Sequence, residues 1–311
     1  MKIFLAGNDS GAYALVLHAL GYPSRLASYY QVNDPSHAVF ECSRQAPQVE
    51  WIMDSGLFSL MFGAGKGLLK GYDAYEAYAK KYVADMKAWG WQHAIVECDV
   101  QRVLGVAETH RLRDEVFRPS GLETIYVWHI PEGEEGLTEL ARRERRVALS
   151  VPEFRSVLGN GRISGGGVAH AAIMRGLRLI REAKRADQRV HLLGNTERGL
   201  VEAPRPADTC DSTSWMSGGR FGQGITFDPK VGAVASIAIF SPRWKAWSGW
   251  CEEAFKPSFD LIRDRFGAGS KQWVYYRNAA CSAIAYVLWM ERLNGKVDLV
   301  VPASLPTLGK S

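Results

Sequence analysis

Along the first two thirds of the chain, short apolar runs alternate with longer segments in which apolar and polar positions mix at helical spacing. The runs are Ile3 to Ala6, Trp51 to Met53, Ala94 to Cys98, Thr124 to His129, Val147 to Val151, Val190 to Leu193 and Ala207 to Cys210. Between them, Tyr72 to Trp89, the segment containing Arg142, and Ala171 to Ala186 have the length and pattern of helices. Strands separated by helices imply βαβ units and a parallel sheet. Seven such strands before residue 215 predict a (β/α)8 TIM-type barrel rather than a doubly wound sheet, because a barrel takes ~250 residues. The remainder, Gly224 to Ser311, is aromatic-rich and broken at Pro242 and Pro257, with a long helix expected from about Trp273 to Leu293 and a stop at Asn294 and Gly295. Residues 1–225 are thus expected to hold most of the barrel. Residues 226–311 are expected to close it and to form a C-terminal helical appendage that docks nucleic acid and is not an independent domain.

Composition narrows the picture. A chain of 311 residues that is 47% hydrophobic can bury a large core and is not disordered. A formal charge of +5 leans toward a polyanionic partner without fixing one. The five cysteines (Cys42, Cys98, Cys210, Cys251 and Cys281) are an odd number and widely spaced, with no CxxC or Cys/His cluster of the kind that holds zinc. No metal and no other cofactor is expected. Unpaired thiols, an N-terminal apolar run interrupted by Asn8, Asp9 and Ser10, and the lack of ~18 consecutive apolar residues point to a cytoplasmic protein without a membrane partner. Nothing in the pattern sets the oligomeric state.

Three aspartates stand where an apolar run meets a polar or glycine turn: Asp54 in WIMDSGLFS, Asp99 in AIVECDV and Asp211 in ADTCDSTSWMSGGRFG. In a barrel these positions lie at strand C-terminal ends, which converge on one pocket. Asp208 competes with Asp211, but a separation of three puts the two on opposite faces of one strand. Glu97 competes with Asp99 at a spacing of two, which places both on one face; the strand-end position favours Asp99.

The segment Asp54-Ser55-Gly56-Leu57-Phe58 resembles the DSGGF or DSGGY segment of the tRNA-guanine transglycosylase superfamily, barrel enzymes that exchange guanine in nucleic acid for a 7-deazaguanine. Further matches follow in order. Ala94 to Val100 looks like the strand that carries the base-recognising aspartate; Ala148 to Glu153, ALSVPE, resembles GLAVGE; Val190 to Gly194, VHLLG, resembles HYLMG; and Asp211 to Gly222 resembles the nucleophile segment DCxxPTRNARNG without a gap. The likeness covers roughly residues 50 to 225 and is nearest in style to the DNA-modifying, DpdA-like branch of phage and bacteria. The tRNA enzymes' CxCxxC zinc cluster is missing, Ser217 replaces their first loop arginine, and Leu57 and Ser59 stand where DSGGFQ has Gly and Gln.

The resemblance implies a barrel that removes guanine from DNA and installs a free 7-deazaguanine base such as preQ0. A nucleophilic carboxylate, Asp211, would form a glycosyl intermediate. Asp54 would serve as general acid and base, protonating the leaving base and deprotonating the incoming one. Asp99 would read the heterocycle, since a carboxylate only accepts hydrogen bonds, with Phe58 stacking on it. Ser55, Gly56, Leu149 and Ser150 fall on the base-binding segments. Read from its position alone, His129 sits at a predicted strand end, where contact with base or sugar and a plain core or surface role are both open, and His191 reads as structural. Arg220 falls on the second loop arginine and would hold the nucleic-acid backbone. Apart from the resemblance, Arg243 and Lys245 interleave with Trp244, Trp247 and Trp250, a pattern that suits nucleic-acid contacts and equally describes a packed helix stripe. The same residues would suit a tRNA-directed enzyme, against which the missing zinc cluster argues, or a catalytically silent nucleic-acid-binding barrel.

Other features have plainer readings. Ser164-Gly165-Gly166-Gly167 before a helix lacks a Walker lysine and reads as a connector rather than a phosphate cradle. The arginines at 142, 143, 145 and 146, and those at 175, 178, 181 and 185, have the spacing of solvated faces.

Overall fold

The computed structural model describes residues 1–32, 34–62, 65–159, 167–183, 187–204, 206–217 and 221–295. Eight parallel strands close into a barrel in chain order: β1 Lys2–Ala6, β2 Ser24–Ser28, β3 Glu50–Asp54, β4 Ala94–Val96, β5 Thr124–Trp128, β6 Arg146–Ser150, β7 Arg189–Leu193 and β8 Thr209–Ser212. Helices follow the strands and cover them; the predicted segments appear as Gly71–Ala88, Gly133–Arg143 and Val168–Ala183, with 184–186 outside the described residues. The expectation of a (β/α)8 barrel is met. No described helix is long and apolar enough to cross a membrane.

The eight barrel strands end at Ser212, so among the described residues those from 226 to 295 contribute no barrel strand, against the expectation that this region closes it. The strand missing from the sequence pattern is β2, whose residues Ser-Arg-Leu-Ala-Ser carry too little apolar character to stand out. After β8 come an antiparallel hairpin, β9 Gln223–Asp228 with β10 Ala233–Ala238, and helices Pro242–Ala254, Lys256–Phe266 and Lys271–Asn294. The last matches the long helix expected from about Trp273 to Leu293.

The chain forms two compact units, one of Met1–Ala27, Asp34–Trp51 and Ser212–Ser311, the other of Ser28–Asn33 and Ile52–Asp211. In the first, the helix Lys271–Asn294 buries Cys281, Tyr286, Trp289 and Met290. Ser282 Oγ accepts the Ile225 N–H at 3.1 Å, and Trp215 Nε1 donates to the Ala6 carbonyl at 2.8 Å, joining the hairpin and the turn after β8 to their neighbours. Gly224 is required by close approach: a Cβ there would lie 2.1 Å from the Trp244 ring.

Strand β2 carries a fully buried arginine. Arg25 donates from Nε to the Tyr22 carbonyl at 3.0 Å, lies with Nη1 3.5 Å from His18 Nδ1, and stacks its guanidinium 5.2 Å from the Trp51 ring centroid. Burial draws Arg25 down to about 10, and burial together with Arg25 draws His18 down to about 4. His18 is therefore neutral in the fold where the unfolded chain, with an ordinary value of 6.5, takes a proton. The unfolded state then binds more protons between about 4 and 6.5, so stability is expected to fall as pH drops through that window, at about 1.4 kcal/mol per pKa unit. His18→Gln is expected to flatten that limb; thermal unfolding of both proteins from pH 7 to pH 4.5 measures the difference.

Candidate functional site

Strand register fixes which side chains face the barrel interior. Val127, Ala148, His191 and Thr209 are register neighbours across β5 to β8 and so share a face. Leu149, Leu192 and Cys210 share the opposite one, and Leu149 packs on Gly176 of the covering helix, with Cδ1 3.2 Å from where a Cβ would stand. By alternation Asp211 points inward with Thr209, whereas Asp208 points outward to Arg181 at 3.1 Å. In β3 and β4, Ile52 is the register neighbour of Ala94, which puts Asp54 and Val96 on the inner face.

Asp54 ends β3. The chain then turns at Gly56, whose φ of +75° and close approach to Ser28 and Tyr30 leave no room for a Cβ. The Gly56 N–H donates to Asp54 Oδ2 at 3.1 Å, so the carboxylate does cap its own turn as well as face the barrel interior. Burial, the nearby Asp211 and Asp99 raise Asp54 to about 6. Ser55 is buried, its carbonyl accepting from the Tyr78 hydroxyl at 2.5 Å, and Phe58, one turn on, is 64% exposed.

Asp211 is held by one oxygen. Its Oδ1 accepts the Gly194 N–H at 2.8 Å and lies 3.1 Å from His191 Nε2. A carboxylate has no proton to give, so His191 donates from Nε2, and Nδ1 meets the Thr209 hydroxyl at 2.7 Å. Among the described residues nothing donates to Oδ2. Histidine 191, read from the sequence as structural, is the group that orients this carboxylate.

Beyond β4 the chain stops alternating, because the strand ends at Val96. Glu97 and Asp99 consequently part company, against the expectation that they share a face. Glu97 is buried and takes Arg113 at Nε and Nη2, 2.8 to 3.2 Å, and the Val127 N–H at 2.7 Å. Asp99 instead lies with Oδ1 3.1 Å from His129 Nε2. The other ring nitrogen of His129, Nδ1, lies 3.0 Å from Glu153 Oε2. Burial alone would lower His129, but the two carboxylates outweigh it and raise the ring to about 10.

Of the residues expected at the site, Asp99 and Asp211 are both brought within electrostatic reach of Asp54, with His129 on Asp99. Ser150, the last residue of β6, shares the inner face by alternation with Ala148. Leu149 does not line the interior, for the register reason given above. Arg220 and residues 160–166, including most of the Ser164 to Gly167 segment, lie outside the described residues. Arg243 is exposed and paired with Asp228 at 2.9 Å, and Lys245 is exposed. Trp244 is buried, Trp247 donates to the Cys281 carbonyl at 3.2 Å, and Trp250 is 46% exposed, which makes most of this stripe packing. Arg145 and Arg146 pair with Glu123, and Arg175 with Glu134. Among the described residues no His, Cys, Asp and Glu group is placed to hold a metal ion.

Sequence reasoning missed Glu153, Glu132 and Asn195. Glu132 receives the His129 N–H at 2.8 Å, three residues back, which is the spacing of a capping carboxylate and was legible. Asn195, buried beside Gly194, accepts the Glu197 N–H at 3.1 Å and leaves its Nδ2 without a hydrogen bond.

Because Asp54 binds its proton more tightly in the fold than in the unfolded chain, ionising it costs stability as pH rises from about 4 to about 6. Asp54→Asn, which keeps an acceptor for Gly56, is expected to unfold at a higher temperature than the native protein at pH 8 and to lose that margin near pH 4, read by calorimetry. Comparison with protein-family models and with curated proteins returns no match to this chain.

Proposed function

We propose that the protein is a base-exchange transglycosylase that replaces guanine in DNA with a 7-deazaguanine such as preQ0. The observation that carries this reading is the state of Asp211: one oxygen is fixed by Gly194 and His191, the other accepts nothing among the described residues, and Asp54, raised to about 6, stands within electrostatic reach. A fixed carboxylate with one open oxygen is the form a nucleophile takes. A carboxyl near neutral pH beside it is the form a proton carrier takes.

In this reading Asp211 Oδ2 attacks C1′ of the sugar as the bond from C1′ to the guanine nitrogen breaks. The departing nitrogen keeps the bonding pair and takes the Asp54 proton. The incoming base gives its ring proton back to Asp54, its nitrogen attacks C1′, and the bond to Oδ2 breaks. Charge and protons balance over the cycle, and the sugar configuration is retained after two inversions. In duplex DNA the target nucleotide must leave the stack to reach the barrel mouth. Phe58, exposed one turn beyond Asp54, is the ring available for stacking on the base.

The test incubates the protein with labelled preQ0 and, separately, guanine-containing DNA and tRNA. Label is expected in DNA and is expected to fall at least about a hundredfold in Asp211→Asn, the scale on which losing a catalytic group acts. Label confined to tRNA would redirect the proposal to RNA, and label in neither polymer would remove it. If the scheme holds, exchange with the native protein falls as pH rises through about 6, where Asp54 loses the proton it gives to the leaving guanine, and Asp54→Asn abolishes that dependence together with most of the rate.

A further inference from the structure

His129 is the most constrained ionisable group among the described residues of this site. It is 1% exposed, its backbone N–H is taken by Glu132, and its two ring nitrogens face two different carboxylates, Glu153 at 3.0 Å and Asp99 at 3.1 Å. Glu153 is itself pinned, because its second oxygen accepts the Ile130 N–H at 3.2 Å. A neutral imidazole has one N–H and can donate to one carboxylate only; against two ionised carboxylates the imidazolium is the form with a donor for each. The two contacts are unequal. The one to Glu153 is a hydrogen bond, whereas Nε2 and Asp99 Oδ1 are close but misaligned, so that each is a buried polar atom with no hydrogen bond. Such a pair is unfinished, and contacts of this kind tighten when a ligand arrives.

We propose that Glu153 and His129 form a positioning pair for Asp99, drawing its Oδ1 toward the ring and leaving Oδ2 as a single outward acceptor for one hydrogen-bond donor on the bound heterocycle. The role in base recognition rests on the base-exchange reading; the charge state and orientation of the pair do not. Two consequences separate this arrangement from a free carboxylate that grips two donors at once. Asp99 discriminates a donor from an acceptor at one point on the base edge, because an acceptor there would leave the carboxylate facing a like partial charge. His129 also remains an imidazolium throughout, so it supplies charge and orientation and gives up no proton.

The other charges around the ring support the same state. Glu132 sits at its backbone and holds His110 at 2.6 Å and Arg113 at 3.6 Å on its second oxygen, while Arg113 is occupied by Glu97. Three carboxylates thus surround His129, and the nearest cation is engaged elsewhere.

The test labels the histidine ring nitrogens with ¹⁵N and reads their protonation at pH 8, with His129→Gln assigning the signals. Both nitrogens of His129 are expected to be protonated in the native protein, two units below the value of about 10, and the ring is expected to titrate at lower pH in Glu153→Gln. A native ring that is neutral at pH 8 overturns the proposal. Affinity for preQ0, measured calorimetrically, is expected to fall about tenfold in Glu153→Gln, equivalent to about 1.4 kcal/mol, with Glu153→Asp restoring part of it. An unchanged affinity with an unchanged pH profile overturns the positioning role. If Glu153→Gln does not fold, Asp99→Asn reads the same ring shift. A protonated ring in a native protein that binds no base removes the base-exchange reading while the pair's geometry stands.

Discussion

Asp99 and Asp211 both act on Asp54 where β3, β4 and β8 end, and the surroundings of each are arranged to offset that repulsion. Like charges in a poorly solvated interior cannot all be held without donors or countercharge. Each aspartate meets the requirement differently. Asp211 takes two donors on one oxygen, Asp99 lies against the His129 ring, and Asp54 meets the backbone N–H groups of its own turn, which burial outweighs to raise it to about 6.

Supporting those donors requires further burial of charge. Glu97 and Arg113, 1% and 3% exposed, form a bidentate pair that ties the segment after β4 to the Val127 peptide group. A buried pair of this kind adds little net stability, yet removing one partner costs about 3 to 5 kcal/mol because the other is left uncompensated. It therefore fixes an arrangement rather than strengthening it. What it fixes is β5 against the turn beyond β4, and those two segments carry His129 and Asp99. In the other unit Arg25 is buried without a carboxylate and relies on a carbonyl, a neutral histidine and an aromatic face, which makes it sensitive to the protonation of its neighbour.

Much of the fold was legible because seven of the eight strands are apolar runs and the covering helices keep a clear period. The exception, β2, is informative. A strand is recognised by the apolar residues it buries, and this one buries a serine and an arginine beside only Leu26 and Ala27. Missing it left the barrel one strand short, and the aromatic C-terminal region was enlisted to complete it. The strand-end aspartates were legible for the same reason as the strands: a polar residue that terminates an apolar run stands out. Their partners were not. His191 and Glu153 lie within or just after apolar runs, and nothing in a linear pattern says that residues 20 and 24 positions apart will meet Asp211 and His129.

Alternation along a strand is the rule that served best and also the one that failed. It separated Asp208 from Asp211 correctly, since both lie where β8 is regular or about to begin, and the structure sends one to Arg181 and the other to His191. It misplaced Glu97 relative to Asp99, because β4 ends at Val96: the Glu97 N–H still bonds the Ile125 carbonyl of β5, but the segment beyond it is no longer strand when Asp99 is reached. Leu149 is the opposite case: it lies within regular β6, where alternation places it outward, and assigning it to the base-binding wall followed a motif rather than the pleat. Active-site chemistry in a barrel sits where strands end, which is where a period of two ceases to hold. Side chains there are placed by the donors they find, and those donors, His191 and the Gly194 N–H for Asp211 and the His129 ring for Asp99, come from neighbouring strands and turns rather than from the strand that carries the carboxylate.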